Sequence, residues 1–263
     1  MKSGTHRAKT CYYASFEEDF VESGNQGFCL PADYEWTPNG AGKKVASSFA
    51  WFIGLLVAYP FCKLHLHVKF TGTQCLKASG NRGAFVYSNH TQPVGDAFMP
   101  ALAVFPKRNF TVVSPSNLGI PVLGRVLPAL GALPVPESFA GMKKLNAAIG
   151  QRIEEGAFVV IYPEAHVWPW FTGIRPFPDT SFAYPVKFGT PAYSMTTTYE
   201  KRPGKEKPRA HVFVDGPFWP DRTLGKKEQR ADLRDRVRSC MQSRAASSDC
   251  AYVEYLPKEV VCS

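Results

Sequence analysis

Two runs of consecutive apolar residues stand out in the chain, and each stops at ionisable residues. Ala84 to Tyr87 leads into Ser88-Asn89-His90, and Ala157 to Tyr162 (AFVVIY) leads into Pro163-Glu164-Ala165-His166. Short apolar runs without polar alternation predict strands covered on both faces, as in a mostly parallel sheet. Helical spacing follows each strand. Ala97 to Phe105 predicts a helix, with Asp96 as its N-cap. Met142, Leu145, Ala148, Ile149 and Ile153 form the apolar face of a second helix, stopped by Gly156. Leu233, Val237 and Met241 mark the apolar stripe of a basic helix from Leu224 to about Arg244. Thr111 to Val113, Ala132 to Val135, Ala192 to Tyr199 and His211 to Val214 read as further strands, with Gly204 to Arg209 a charged connecting turn. Leu64, Leu66, Val68 and Phe70 alternate with His65, His67 and Lys69, which predicts a half-buried strand with both histidines on its solvent face. The alternation of strands and helices gives an α/β fold, with a mostly parallel central sheet and helices on both faces.

A different pattern precedes this domain. Val45 to Cys62 is the one long uncharged run, flanked by Lys43, Lys44 and Lys63. As a helix it would be about 27 Å long, borderline for crossing a hydrocarbon core. Its aromatics sit at both ends, Pro60 limits it, and Ser47, Ser48 and Gly54 weaken a full span, so a shallowly inserted helix is the expectation. Residues 1–44 are polar and dotted with aromatics such as Tyr13, Phe16, Phe20 and Trp36. They could dock on the domain or on a membrane. The division is thus 1–63, an arm and membrane-associating segment, and 64–263, one domain without internal repeats. The residues after the last helix read as a short tail.

Composition narrows the partners. The 263 residues carry 31 Lys plus Arg against 22 Asp plus Glu, a formal net charge of +9. That excess favours an anionic membrane surface or phosphorylated substrates. No nucleic-acid recognition motif accompanies it. Seven scattered cysteines without a CxxC pair point to reduced thiols, not to a disulfide framework or a zinc site. The polar opening, with Glu17, Glu18 and Asp19, does not read as a signal peptide. The Asn-x-Thr sequences at Asn89 and Asn109 then carry no glycosylation meaning. The expected location is the cytoplasmic face of the cell membrane.

In open α/β sheets, ligands bind beyond the carboxyl ends of the strands. If the His90 and Glu164 strands are parallel neighbours, His90, Asp96, Glu164 and His166 converge there. A histidine followed within one loop by a carboxylate is a usable general base. The carboxylate accepts the far imidazole N–H and fixes the tautomer. The bland alternatives are a loop histidine bonded to backbone, and a Glu164 tied to local N–H groups in a tight turn.

Here the motifs resemble the glycerolphosphate and lysophospholipid acyltransferase family. Asn89-His90 to Asp96 is similar to its Asn-His-x4-Asp motif. Gly131-Ala132-Leu133-Pro134-Val135 sits at the place of Gly-x-x-Phe-Ile-x-Arg. Tyr162-Pro163-Glu164 is similar to the start of Phe-Pro-Glu-Gly-Thr-Arg-Ser, and Pro185 to Pro191 to the fourth motif. The resemblance covers roughly residues 65–220. It implies acyl transfer from acyl-CoA or acyl-carrier protein, as co-substrate, to a lysophospholipid hydroxyl, with lysophosphatidic acid the first choice. It implies no metal or redox cofactor. His90 would be the base and Asp96 its orienting carboxylate, and Glu164 would hold the acceptor. The departures are specific. Five residues separate His90 from Asp96. No basic residue occupies 135–137. Ala165-His166-Val167-Trp168 replaces Gly-Thr-Arg-Ser, so the arginines expected to grip phosphate are missing. Arg175, then His166, are the candidates to replace them as substrate-binding residues, ahead of Arg125 and Lys143-Lys144. The missing arginines also leave two alternatives open: transfer to another lysophospholipid or an amine, and a non-catalytic lipid-binding module. Trp168-Pro169-Trp170-Phe171 could line an acyl channel, rest in the membrane interface, or simply pack.

Overall fold

The computed structural model describes residues 9–21, 27–37 and 40–258. Residues 1–8, on which the reading of the chain's opening partly rests, lie outside them. The strands are β1 (Lys9–Tyr13), β2 (Lys69–Thr71), β3 (Ala84–Ser88), β4 (Asn109–Val113), β5 (Ala132–Pro134), β6 (Phe158–Ile161), β7 (Ala192–Arg202), β8 (Lys205–Phe218) and β9 (Val253–Pro257). The α-helices are α1 (Ala41–Pro60), α2 (Gly95–Val104), α3 (Leu123–Leu130), α4 (Phe139–Glu154), α5 (Ala183–Phe188) and α6 (Lys226–Ala245). Seven strands make the central sheet in the order β2-β8-β7-β3-β6-β4-β5. Only β7 and β8 pair antiparallel; every other neighbouring pair is parallel.

The apolar runs are explained by this position. β3 lies between β6 and β7, and all five of its residues are buried. Ala84 and Val86 join the core on one face, with Met99 of α2, Val160 and Met195. Phe85 and Tyr87 join the core on the other, with Leu145 and Ile149 of α4 and Leu233, Val237 and Met241 of α6. A strand covered on both faces has no reason to alternate. Gly83, just before β3, donates its N–H to the Ile153 carbonyl at 2.8 Å. A Cβ there would fall 2.0 Å from the Ala157 carbonyl oxygen, so only glycine lets the two chain segments pass.

Several sequence expectations need correction. Phe61–His65 is a π-helical turn continuing α1, and His67 has φ 50, so the predicted strand shrinks to Lys69–Thr71 and the histidines share no strand face. Pro60 therefore ends the α-helical geometry but not the helical path. Residues 205–209 are not a connecting turn; they already belong to β8, and the reversal is confined to residues 203–204. The tail is not free either. β9 pairs in parallel with β1, clasping the two ends of the chain together. The arm docks on the domain: Tyr13, Phe16 and Phe20 pack on Trp168, and the Trp36 indole N–H donates to the Pro134 carbonyl at 2.8 Å.

Helix α1 lies against α2 and α3. Ser47 donates to the Ala129 carbonyl at 3.0 Å, and the Trp51 indole to Asn109 at 3.1 Å. Its outward face is apolar: Val45, Phe49, Phe52, Leu56 and Val57 are all at least half exposed. The helical stretch Ala41–His65 is long and apolar enough to cross a membrane, and only 17% of its most apolar part is buried. Asn89 and Asn109, the two Asn-x-Thr acceptors, are both buried.

The crossing at Gly83 is directly testable. Gly83→Ala should cost about 1–3 kcal/mol, because the new methyl meets backbone, not a flexible side chain. Urea unfolding should show a lower midpoint at unchanged slope. An unchanged midpoint would mean that the two segments can separate freely.

Candidate active site

The polar residues after β3 are fixed before any ligand arrives. The Asn89 amide makes a two-way clamp on β7: its N–H donates to the Thr197 carbonyl at 3.0 Å, and its oxygen accepts the Thr197 N–H at 2.8 Å. Gln92 donates to the Tyr199 hydroxyl at 2.8 Å, and Thr91 bonds the same hydroxyl. The sequence reading did not assign these anchors. The signal available for Asn89 was a polar residue following a fully apolar strand, where a buried amide must find partners.

His90 sits between these anchors with its side chain about one-fifth exposed. Its Nδ1 lies 2.7 Å from Asp96 Oδ2. Asp96 is buried and is not the N-cap. It stands in the first turn of α2, whose N-cap is Val94, and the same Oδ2 accepts the Gln92 N–H at 2.9 Å. The five-residue spacing therefore closes properly: a turn at Pro93 and Val94 takes up the extra residue while Asp96 grips the loop it closes. Burial pushes the Asp96 carboxyl up, opposed by its bonds to His90 and backbone. Tyr162 stacks on the imidazole at 4.3 Å, and its hydroxyl donates to the Asp96 carbonyl at 2.6 Å. With Nδ1 committed to Asp96, Nε2 is the ring nitrogen left to take a proton.

β3 and β6 are parallel neighbours, so Glu164 does arrive beside His90. It is turned inward. Oε2 accepts the His90 backbone N–H at 3.2 Å, and Oε1 accepts the Arg175 backbone N–H at 2.9 Å. The Arg175 guanidinium adds an ion pair at 3.3 Å, with both side chains essentially unexposed. The same guanidinium donates to the carbonyls of His166 and Phe16 and lies over the Trp168 ring. Burial pushes the Glu164 carboxyl up, and Arg175 with the backbone donors opposes it. Two readings change as a result. Arg175 has no face for an external phosphate, and Glu164 braces the His90 loop instead of presenting a carboxylate to an acceptor. His166 lies at the rim, about one-third exposed, with Nδ1 3.4 Å from Asp19.

The loop after β6 is zipped to the loop after β3. The Trp168 and Trp170 N–H groups donate to the His90 and Thr91 carbonyls at 3.0 and 2.9 Å. Trp168 is fully buried among Tyr13, Phe16, Phe20, Phe171 and Tyr255, so this side chain packs, while Pro169, Trp170 and Phe171 stay partly exposed. Ala165 adopts φ 64, a left-handed conformation that suits the glycine of the resembled motif better than alanine.

Apolar space beside the dyad lies elsewhere. A cavity of about 290 Å³ is bounded by Pro93, Val94 and Ala97 next to Asp96, by Trp51 and Leu55 of α1, and by Leu127 of α3. Val135 and Glu137, at the end of β5, supply no cation. Arg125 is exposed, and Lys143 lies over the Phe139 ring at 4.8 Å. Among the described residues, no group of three or more His, Cys, Asp or Glu side chains could hold a metal ion.

Comparison with known proteins agrees with this layout. A family model described as Acyltransferase matches residues 67–198, half of the chain. Among solved structures, the crystal structure of the 1-acyl-sn-glycerophosphate (LPA) acyltransferase, PlsC, from Thermotoga maritima is similar to this chain. It has a TM-score of 0.53 at 15% identity, covering 79% of this chain and 83% of that one. At that identity the likeness speaks for the fold. No curated protein matches the chain at a significant level.

The inward role of Arg175 makes a prediction. Arg175→Ala leaves Glu164 buried without its cation, which should cost about 3–5 kcal/mol of stability. Chemical denaturation measures it directly. An Arg175→Ala protein of normal stability would show that the pair does not hold these loops.

Proposed function

Because the chain belongs to the Acyltransferase family, we propose that it moves a fatty acyl group from an acyl-CoA or acyl-carrier-protein thioester to the hydroxyl of a lysophospholipid at a membrane surface. The observation that carries this reading is the 2.7 Å contact between His90 and Asp96 at the carboxyl end of the sheet. His90 Nε2 takes the acceptor hydroxyl proton as the oxygen attacks the thioester carbonyl. Asp96 holds the ring and stabilises the imidazolium. The proton then passes to the departing thiolate. A thioester is already activated, so the protein's contribution is mainly placement. Glu164 and Arg175 act as positioning residues through the His90 backbone. The cavity beside Val94 and Ala97 is the place for the first part of the acyl chain.

Lysophosphatidic acid is the first acceptor to test, the substrate for which the similar PlsC is named. A lysophospholipid with another head group is the second reading. It is favoured by two observations: the cation position at the end of β5 is empty of Lys and Arg, and Arg175 is inside the protein.

The membrane part of the proposal rests on α1. Its inner side is bonded to Ala129 and Asn109 through Ser47 and Trp51, while its outer side exposes Phe49, Phe52 and Leu56. A helix held flat on its own domain suits partial insertion in the plane of one leaflet, with the +9 charge adding attraction to anionic lipid.

Two experiments test these statements. Purified protein incubated with acyl thioester and a lysophospholipid panel should yield diacyl product by mass spectrometry. His90→Ala should lower turnover by about 10²–10⁴-fold, and Asp96→Asn should lower it with the fold intact. A folded His90→Ala protein with normal turnover excludes this chemistry. Separately, flotation with anionic vesicles should weaken with salt but persist, because insertion is not screened. Phe49→Glu with Phe52→Glu should abolish the salt-resistant part. Retention of that part would move membrane contact away from α1.

A further inference from the structure

A second cavity, of about 390 Å³, opens at the opposite end of the sheet. Asn81 precedes β3, Arg108 precedes β4, and Gly156 and Ala157 precede β6, so it lies at the strands' amino ends. His90 is one strand away, roughly 15–20 Å. Lys44, Lys107, Arg108 and Arg152 line the cavity, against the single carboxylate of Glu155.

Of these cations Arg152 has an ion-pair partner, Glu155, while Lys107 and Arg108 are held by neutral oxygens. The Lys107 ammonium is surrounded by neutral oxygens of Ser79, Gly80 and Arg82 at 3.0, 2.6 and 3.0 Å. Arg108 donates to Ser47 Oγ at 2.7 Å and to the Ala129 carbonyl at 2.8 Å. Arg152 reaches Glu155 at 2.6 Å with its side chain only 6% exposed. Both guanidinium groups lie over the same Phe110 ring, at 4.8 and 4.5 Å. The Nε atom of each is buried without a hydrogen-bond partner. Burial, and then the neighbouring Arg152 charge, push the Arg108 guanidinium down to about 10. Buried, unpaired N–H donors and like charges crowded beside one open space form a costly arrangement, and a multivalent anion in that space offsets the charge repulsion. The first turn of α1, adjoining Lys44, contains no acidic residue to serve instead.

We propose that this cavity binds a phosphate-bearing anion at a site separate from the acyl-transfer centre. Arginine forks suit phosphate oxygens, and the charge excess suits a phosphate's double charge. Two sources share this chemistry. Lys44 and Ser48 directly precede the exposed Val45 and Phe49, which places an anionic lipid head group within reach. A soluble phosphate compound could enter from solvent.

Lys44 is exposed, so Lys44→Glu should fold normally. Lys43→Glu makes the same charge change outside the cavity lining and is the control. The first probe is inorganic phosphate, followed by the thermal midpoint against chloride at matched ionic strength. Phosphate should raise the wild-type midpoint saturably, with half-saturation about tenfold higher in Lys44→Glu and nearly unchanged in Lys43→Glu. The second probe is flotation with phosphatidylcholine vesicles with and without phosphatidic acid. Selective loss of phosphatidic acid binding in Lys44→Glu assigns the site to a head group. Discrimination by phosphate alone assigns it to a soluble ligand. If neither probe separates Lys44→Glu from Lys43→Glu, the proposal is wrong and the cations serve only to bind backbone carbonyls.

Discussion

Glu164 must find its partners inside the protein, because an ionised carboxylate at the buried end of a strand has no water to turn to. It finds three: the backbone N–H of His90, the backbone N–H of Arg175 and the Arg175 guanidinium. They come from two residues, His90 on the loop after β3 and Arg175 on the chain returning after β6. One carboxylate thereby fixes the loop after β3, the end of β6 and the returning chain at Arg175. Arg175 extends the tie to the N-terminal arm through the Phe16 carbonyl. His90 is thus placed twice over. Glu164 sets its backbone, and Asp96 with the Tyr162 ring sets its imidazole. A proton-transferring group needs this kind of support to hold its angle through a reaction.

The same interaction shows where sequence reasoning succeeds and where it stops. The buried strands β3 and β6 were legible because burial on both faces leaves a continuous apolar run, and their adjacency brought Glu164 to His90 as expected. The α6 stripe was legible because Leu233, Val237 and Met241 repeat at helical spacing and all are buried. The direction of a charged side chain was not. Arg175 reads identically as a surface cation and as the answer to a buried carboxylate; only the unpaired state of Glu164 in the sequence hinted at the second. The alternation from Leu64 to Phe70 misled because the π-turn at Phe61–His65 also buries Cys62 and Leu66 while exposing Leu64. β9 was hidden for another reason. Its partner β1 lies at the other end of the chain, and a two-stranded pairing over that distance leaves no local pattern.

Asp96 and its loop carry a finer lesson. A spacing longer by one residue seemed to threaten the dyad. The carboxylate itself closes the loop, since one oxygen accepts both the imidazole and the Gln92 N–H. The geometry is therefore specified by what Asp96 grips, and the number of residues between is secondary.

The two ends of the sheet are chemically unlike, and α1 runs past both. Near His90 the helix contributes Trp51 and Leu55 to an apolar cavity; near its start it contributes Lys44 and Ser47 to a basic one. Its third surface, from Val45 through Val57, faces outward and is apolar. A helix serving only as an anchor would need the outward surface alone. A core helix of a soluble protein would bury that surface. An element that packs inward with one side, borders two cavities of opposite character with its flanks, and leaves its apolar side open is instead suited to setting the domain's orientation on a surface. On the proposed reading, an acyl chain rising from that surface passes beneath α1 to reach His90, and charge collects at the other end of the helix, where lipid phosphates would lie.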